Sequence, residues 1–143
     1  MREVLFRGKN VETGEWIYGE MTGVDGAKPI IIRSAYMEDD CSLSFDYEHV
    51  KPATVSEFTG LRDKNGKRIF EGDIVQYPIE QGKHRDANLH EVVFERRGGS
   101  AYFGIVMDAN ETWQFCLSVP SKLMEVVGNI YDNPEITGGM ARE

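Results

Sequence analysis

The sequence is short of cysteine, histidine and positive charge, and it has no long apolar run. Two cysteines in 143 residues, Cys41 and Cys116, can close at most one bridge, which excludes a disulfide scaffold. The expectation is a reduced, cytoplasmic protein. No stretch reaches transmembrane length, so no membrane partner is expected. The opening Met1-Arg2-Glu3-Val4-Leu5-Phe6-Arg7 carries charge too early and too often for a secretory leader. There is no Gly-x-Ser-x-Gly elbow, no Gly-x-x-x-x-Gly-Lys-Ser/Thr phosphate loop and no dinucleotide fingerprint. Sixteen Lys and Arg stand against 24 Asp and Glu, for a net charge of −8. Sequence-independent nucleic-acid binding needs a surplus of cations to neutralise phosphates, and the chain has none.

What is present fits a folded domain. Hydrophobic residues make up 41% and charged residues 28%, which argues against global disorder. A chain of 143 residues suits one domain, or two small lobes, and can build a core without disulfide or metal. The charge is uneven: net −5 over residues 1–50, +1 over 51–100 and −4 over 101–143. A local basic patch in the middle third would use Arg62, Lys64, Lys67 and Arg68, then Lys83, Arg85, Arg96 and Arg97. These alternate with Asp63, Glu71 and Asp73, the pattern of solvated turns carrying both signs.

Strand signals dominate. Residues 3–22 read as a hairpin, with Val4-Leu5-Phe6 leading in and Trp16-Ile17-Tyr18-Gly19 returning. Pro29-Ile30-Ile31-Ile32 suits a strand covered on both faces. Leu43, Phe45 and Tyr47 alternate with Ser44, Asp46 and Glu48, which predicts a strand burying its apolar side. Residues 52–58 fit a short helix opened by Pro52 or a strand. Asn65-Gly66 between two extended runs predicts a hairpin turn with positive φ supplied by that pair. Residues 78–90 read as a polar loop. Apolar runs at 92–94, 102–107, 113–117 and 124–131 follow at close spacing, with Gly98-Gly99 as a turn.

The expected fold is therefore mainly β. It has an N-terminal β-hairpin or sheet region over 1–50 and a small bent sheet or SH3-like barrel over 51–135. Helices are short at most, and a flexible tail spans 136–143. The parts are expected to form one compact unit.

Several strings resemble the YopX family of bacteriophage and prophage proteins. They are Phe6-Arg7-Gly8-Lys9, Trp16-Ile17-Tyr18-Gly19, the run Phe58 to Lys67, Ile69-Phe70-Glu71-Gly72-Asp73-Ile74-Val75, and the run Val126 to Glu135. They span nearly the whole chain in the family's order. The resemblance implies a phage or prophage origin in a bacterial cell and a largely β fold. It implies no activity and offers no catalytic residue to carry over.

The same strings have structural explanations. Gly60, Gly66 and Gly72 fall where a chain reversal needs positive φ. Asp63 and Asp73 can accept backbone N–H bonds beside those reversals. Asn129, inside an apolar strand, is expected to pin a neighbouring turn. Trp16 and Tyr18 are two apart and share a strand face, expected to be core, with an exposed aromatic platform as the alternative.

No constellation carries a reaction. His84 and His90, near Asp86, Asn88 and Glu91, lack the spacing of a zinc site, and a solvated loop explains them. Glu38-Asp39-Asp40 lacks the ligand pattern of a calcium loop. Cys116 reads as a packed side chain, and neither cysteine sits in a basic environment. The expectation is a non-enzymatic module with no cofactor and no metal, binding a host or phage protein. A candidate interaction surface is Trp16, Tyr18, Arg62, Lys64, Lys67 and Arg68. Single-strand nucleic-acid binding through aromatics and basic loops is the alternative, disfavoured by the net charge. An acidic mimic of DNA that occupies a host protein is another. Self-association through apolar strand edges is also open.

Overall fold

The structure, a computed structural model, describes residues 3–23, 28–77, 89–108, 111–115 and 120–137. Strands account for most of them. The chain divides into two compact units, Met1–Phe58 and Thr59–Glu143.

The first unit is built on antiparallel strands β1 (Phe6–Lys9), β2 (Trp16–Thr22), β3 (Ile30–Met37), β4 (Leu43–His49) and the start of β5 (Ser56–Arg62), in the order β4-β3-β2-β1-β5. The β1–β2 hairpin is the one the sequence predicts. Its turn is fixed by the Asn10 side chain, which accepts the N–H groups of Glu12 and Thr13 at 2.7 and 3.0 Å. Pro52–Thr54 forms a single 3-10 turn and Ser56 begins β5, so both expected conformations occur in succession. Ile17, Ile31 and Val50 form the core, with Phe6, Met21 and Val55 packed against them.

The alternation of β4 is real, but its direction is the reverse of the expectation. Leu43, Phe45 and Tyr47 are 57, 47 and 51% exposed. Ser44 and Glu48 are half-buried instead, and Asp46 between them is exposed. Period two fixes which residues share a face, and leaves open which face the core takes.

The second unit begins with a hairpin of the C-terminal half of β5 and β6 (Arg68–Phe70). Its sheet comprises β7 (Asp73–Gln76), β8 (Leu89–Arg97), β9 (Ser100–Asp108), β10 (Glu111–Gln114) and β11 (Glu125–Asn129), in the order β10-β9-β8-β7-β11. Of the two forms expected for this part, the described residues make the open, bent sheet, with β10 and β11 at its edges. Bulges in the β9–β10 and β7–β11 pairs supply the bend. Ile69, Val75, Tyr77, Val92, Ile105, Met124 and Val126 fill the core. At about 1.5–3 kcal/mol for each fully buried large apolar side chain, this cluster is the main attractive term in the unit.

Gly60, Gly66 and Gly72 all have positive φ, at 86, 81 and 86°. The turn at Asn65-Gly66 differs in type from the expectation, because Asn65 does not share the positive φ. The Gly66 N–H bonds to the Asp63 carbonyl at 3.0 Å and the Asp63 N–H to the Lys67 carbonyl at 2.8 Å. That is a three-residue loop with Gly66 alone in the left-handed position.

The expected polar loop ends earlier than residue 90, because Leu89 and His90 already belong to β8. Its remaining residues, 78–88, lie outside the described residues, as do Cys116 and the last six residues of the expected tail. Within that tail, Ile136 belongs to a short helix, α1 (Pro134–Thr137).

Candidate functional site

Trp16 and Tyr18 do share one face of β2, as their spacing requires. Neither is fully core: Trp16 is half-buried and Tyr18 is 47% exposed. Residues directly opposite each other in a sheet lie on the same face, so the strand register maps this surface. Lys9 faces Trp16, Arg7 faces Tyr18, and Glu20 faces Ile32. Tyr47, Phe45 and Leu43 face Ile32, Ala35 and Met37. A bulge between Ile32 and Ser34 keeps the row in step. The result is a continuous face carrying Trp16, Tyr18, Met37, Leu43, Phe45 and Tyr47, opposite the core face that carries Ile17 and Ile31.

The β1 side of this face is cationic. The Arg7 guanidinium carbon lies 4.5 Å from the centre of the Trp16 ring, and the Lys9 ammonium 5.3 Å. Arg7 is buried and donates from Nε to the Ser56 hydroxyl at 3.1 Å. A cation at this distance gains about 1–2 kcal/mol from the ring when it is desolvated. Both cations therefore help to hold the indole in place. The β3–β4 side is acidic, with Glu38, Asp39, Asp40 and Asp46 all exposed.

Arg62, Lys64, Lys67 and Arg68 sit elsewhere, on the β5–β6 hairpin of the second unit. Arg62 donates to the Gly66 carbonyl at 3.0 Å, bracing its own turn. Lys64 pairs with Glu125 at 3.3 Å. Both members of that pair are largely exposed, so it is worth under about 1 kcal/mol. Arg62 and Lys64 thus have structural partners close by. The candidate residues fall into two groups, one in each unit.

Asp63, Asp73 and Asn129, from the family-like strings, engage the backbone. The buried Asp63 carboxylate accepts the N–H groups of Asn65 at 2.8 Å, Lys67 at 2.9 Å and Val126 at 2.9 Å. Burial alone would raise its pKa. The Val126, Lys67 and Asn65 N–H groups, with the Lys67 charge, outweigh that and hold the carboxyl below its ordinary value. Asp73 accepts the Phe70 N–H at 2.8 Å. Asn129 pins the turn that follows it: its Oδ1 accepts from Tyr131 and Asp132 at 3.0 and 2.8 Å. The expected roles of all three hold.

These bonds join strings distant in sequence. The Lys64 N–H donates to the Met124 carbonyl at 2.9 Å, and the Ile130 N–H donates to the Gly72 carbonyl at 2.9 Å. The middle and closing strings meet here.

His90 is buried on β8, with Nδ1 2.9 Å from the Val106 carbonyl oxygen. A carbonyl can only accept, so Nδ1 carries the proton and Nε2 is bare. Burial pushes the imidazole pKa below its ordinary value, against the Val106 carbonyl, which favours the proton. His84, Asp86 and Asn88 lie outside the described residues. Among the described residues no cluster of three metal-ligating side chains occurs.

The β4 row of Leu43, Phe45 and Tyr47 is the feature that the sequence reading assigned to the wrong side. Its one signal was the acidic loop beside it, since Glu38-Asp39-Asp40 keeps the hairpin tip in water.

A mainly β chain is what the resemblance implied. The YopX protein family model matches residues 5–137, and the chain belongs to that family. Among solved structures, it is similar to protein EF1440 from Enterococcus faecalis, at 22% identity and a TM-score of 0.60. That similarity covers 95% of this chain and 99% of the other and is one of fold. No curated protein matches the chain.

Proposed function

We propose that this YopX-family chain is a non-enzymatic protein-interaction module of phage or prophage origin, acting in the cytoplasm of a bacterial host. The observation that carries the reading is the inverted strand β4. Leu43, Phe45 and Tyr47 stand in water while Ser44 and Glu48 turn inward. Large apolar side chains in a continuous exposed row mark surfaces that other proteins cover. Tyr18, Trp16 and Met37 extend the row across the same face. Aromatics and methionine are enriched at protein interfaces for their large contact area.

The polar residues of the family strings support a non-catalytic role. Asp63, Asp73 and Asn129 have backbone partners, and His90 has one at Nδ1. Groups held in this way stabilise turns and strands. The acidic rim of the β3–β4 hairpin favours a partner with basic residues around an apolar patch.

Single-strand nucleic-acid binding stays behind this reading. The Trp16 ring already has Arg7 and Lys9 against it, and the β3–β4 side of its face is acidic. The test is capture of partners from a bacterial lysate by the tagged full chain, with and without nuclease. A protein retained after nuclease treatment is expected. Partners that all vanish with nuclease would favour the nucleic-acid reading.

A further inference from the structure

We infer that the aromatic face of the first unit seats an arginine of a partner protein, laid on Ile32 between the Glu20 carboxylate and the Tyr47 ring. The inference rests on the reading of that face as a protein interface, and it names what the partner brings.

Three residues stand abreast on the face. Glu20 is opposite Ile32 across β2 and β3, and Ile32 is opposite Tyr47 across β3 and β4. Neighbouring strands lie about 4.8 Å apart, so Glu20 and Tyr47 flank Ile32 with their backbones about 10 Å from each other. Tyr18 is two residues from Glu20 along β2, on the same face and about 7 Å away. Ile32 is half-buried, whereas Tyr18, Glu20 and Tyr47 are exposed. The middle of the row is therefore an apolar floor, with a carboxylate on one side and an aromatic ring on the other.

The charge of the occupant follows from Glu20. Among the described residues of β1 to β4, it is the one acid that the register places on this face. No cation among the described residues pairs with it. Arg7, diagonal to it in register, lies on the Trp16 ring instead and donates to the Ser56 hydroxyl. Glu38, Asp39 and Asp40, exposed at the end of the β3–β4 hairpin, add a negative field that steers a cationic segment towards the same face.

A guanidinium answers both sides of the row at once. It is planar, so its edge can donate two N–H groups to the carboxylate while its flat side lies against a ring. A cation within about 6 Å of a ring centre is attracted to it. Trp16 already holds the chain's own Arg7 in this way, at 4.5 Å. An ammonium is a compact, strongly hydrated point charge and cannot stack as it pairs. Tyrosine and arginine are both enriched among the residues that carry the binding energy of interfaces.

The test is amide NMR of the isotope-labelled full chain, titrated with the peptide acetyl-Leu-Arg-Leu-amide to about 20 mM. The comparison peptide is acetyl-Leu-citrulline-Leu-amide, which keeps the shape and lacks the charge. The arginine peptide should shift the Glu20, Ile32 and Tyr47 amides saturably and bind several-fold more tightly than the citrulline peptide. Glu20→Gln, at an exposed position, should leave the rest of the spectrum unchanged and weaken the arginine peptide about threefold to fivefold, the scale of an exposed ion pair. Tyr47→Leu should weaken it as well. Equal binding of the two peptides, undiminished binding to Glu20→Gln, or shifts confined to other surfaces would overturn the inference. A protein captured from lysate without any arginine response would overturn it and leave the interaction reading standing. An arginine response with no protein captured would do the reverse.

Discussion

The Asp63 carboxylate accepts the Val126 N–H at 2.9 Å across 63 residues of chain, while its other oxygen closes its own hairpin turn on Asn65 and Lys67. One side chain thus fixes both the shape of the β5–β6 turn and its attachment to the start of β11. Removing it leaves the buried Val126 N–H, and the part-buried Asn65 and Lys67 N–H groups, without their acceptor. Asp63→Ala should cost about 1.5–3 kcal/mol, the range for hydrogen bonds to a charged group. Urea unfolding checks this, and a loss below about 0.5 kcal/mol would mean that water or a relaxed turn replaces the carboxylate.

Stability should depend on pH in two windows. Unfolded His takes up its proton near pH 6.5, roughly, whereas buried His90 does so only at lower pH. The unfolded state therefore binds more protons in that interval. The His90 contribution is complete above about pH 6.5 and is lost progressively as pH falls below it. Asp63 acts further down: its contribution is present above its unfolded value of about 3.9 and is lost as pH falls through its lower folded value. Denaturant unfolding of wild type and His90→Gln between pH 8 and pH 5, roughly, separates the first window. The variant should lose the part of the slope near pH 6 that the wild type shows, approximately.

Gly128 should not tolerate a side chain. A methyl there would fall on the Asn133 side-chain amide. That amide accepts the Asn129 N–H at 3.2 Å, and the Asn133 N–H returns to the Asn129 carbonyl at 2.9 Å. Gly128→Ala should therefore loosen the turn after β11 and cost about 1–3 kcal/mol, the usual range for overpacking. Thermal melting together with amide exchange at Tyr131 and Asp132 reads both effects. Wild-type stability and protection in the variant would refute the close approach.

Exposed residues of the aromatic face should be dispensable for folding. Tyr18→Ser and Met37→Ser should each change stability by under about 0.5–1 kcal/mol, because these side chains are about half or more exposed in the unit. A larger loss would mean that the face is covered in the folded chain.

Much of the fold is legible in local chemistry. Positive φ at Gly66 and Gly72, the Asx role of Asp63 and the turn-pinning role of Asn129 all follow from residue type beside a reversal. The β1–β2 hairpin follows from two apolar runs around Asn10 to Glu15. Other features depended on tertiary choices. Leu43, Phe45 and Tyr47 alternate in the same way whichever side the core takes, so sequence could not tell an exposed row from a buried one. The partner of the second Asp63 oxygen lay far along the chain, where no local pattern points to Val126. The candidate surface drew Trp16 and Tyr18 together with Arg62, Lys64, Lys67 and Arg68, but the two groups belong to different units.

The measurement that tests the interaction reading most directly is capture from nuclease-treated lysate by wild type and by a Tyr18→Ser, Met37→Ser double variant. That variant alters the aromatic face and leaves β4 unchanged. The account predicts a protein retained by the wild type and lost from an equally stable variant. Equal retention by both chains, or nothing retained once nucleic acid is removed, would contradict it.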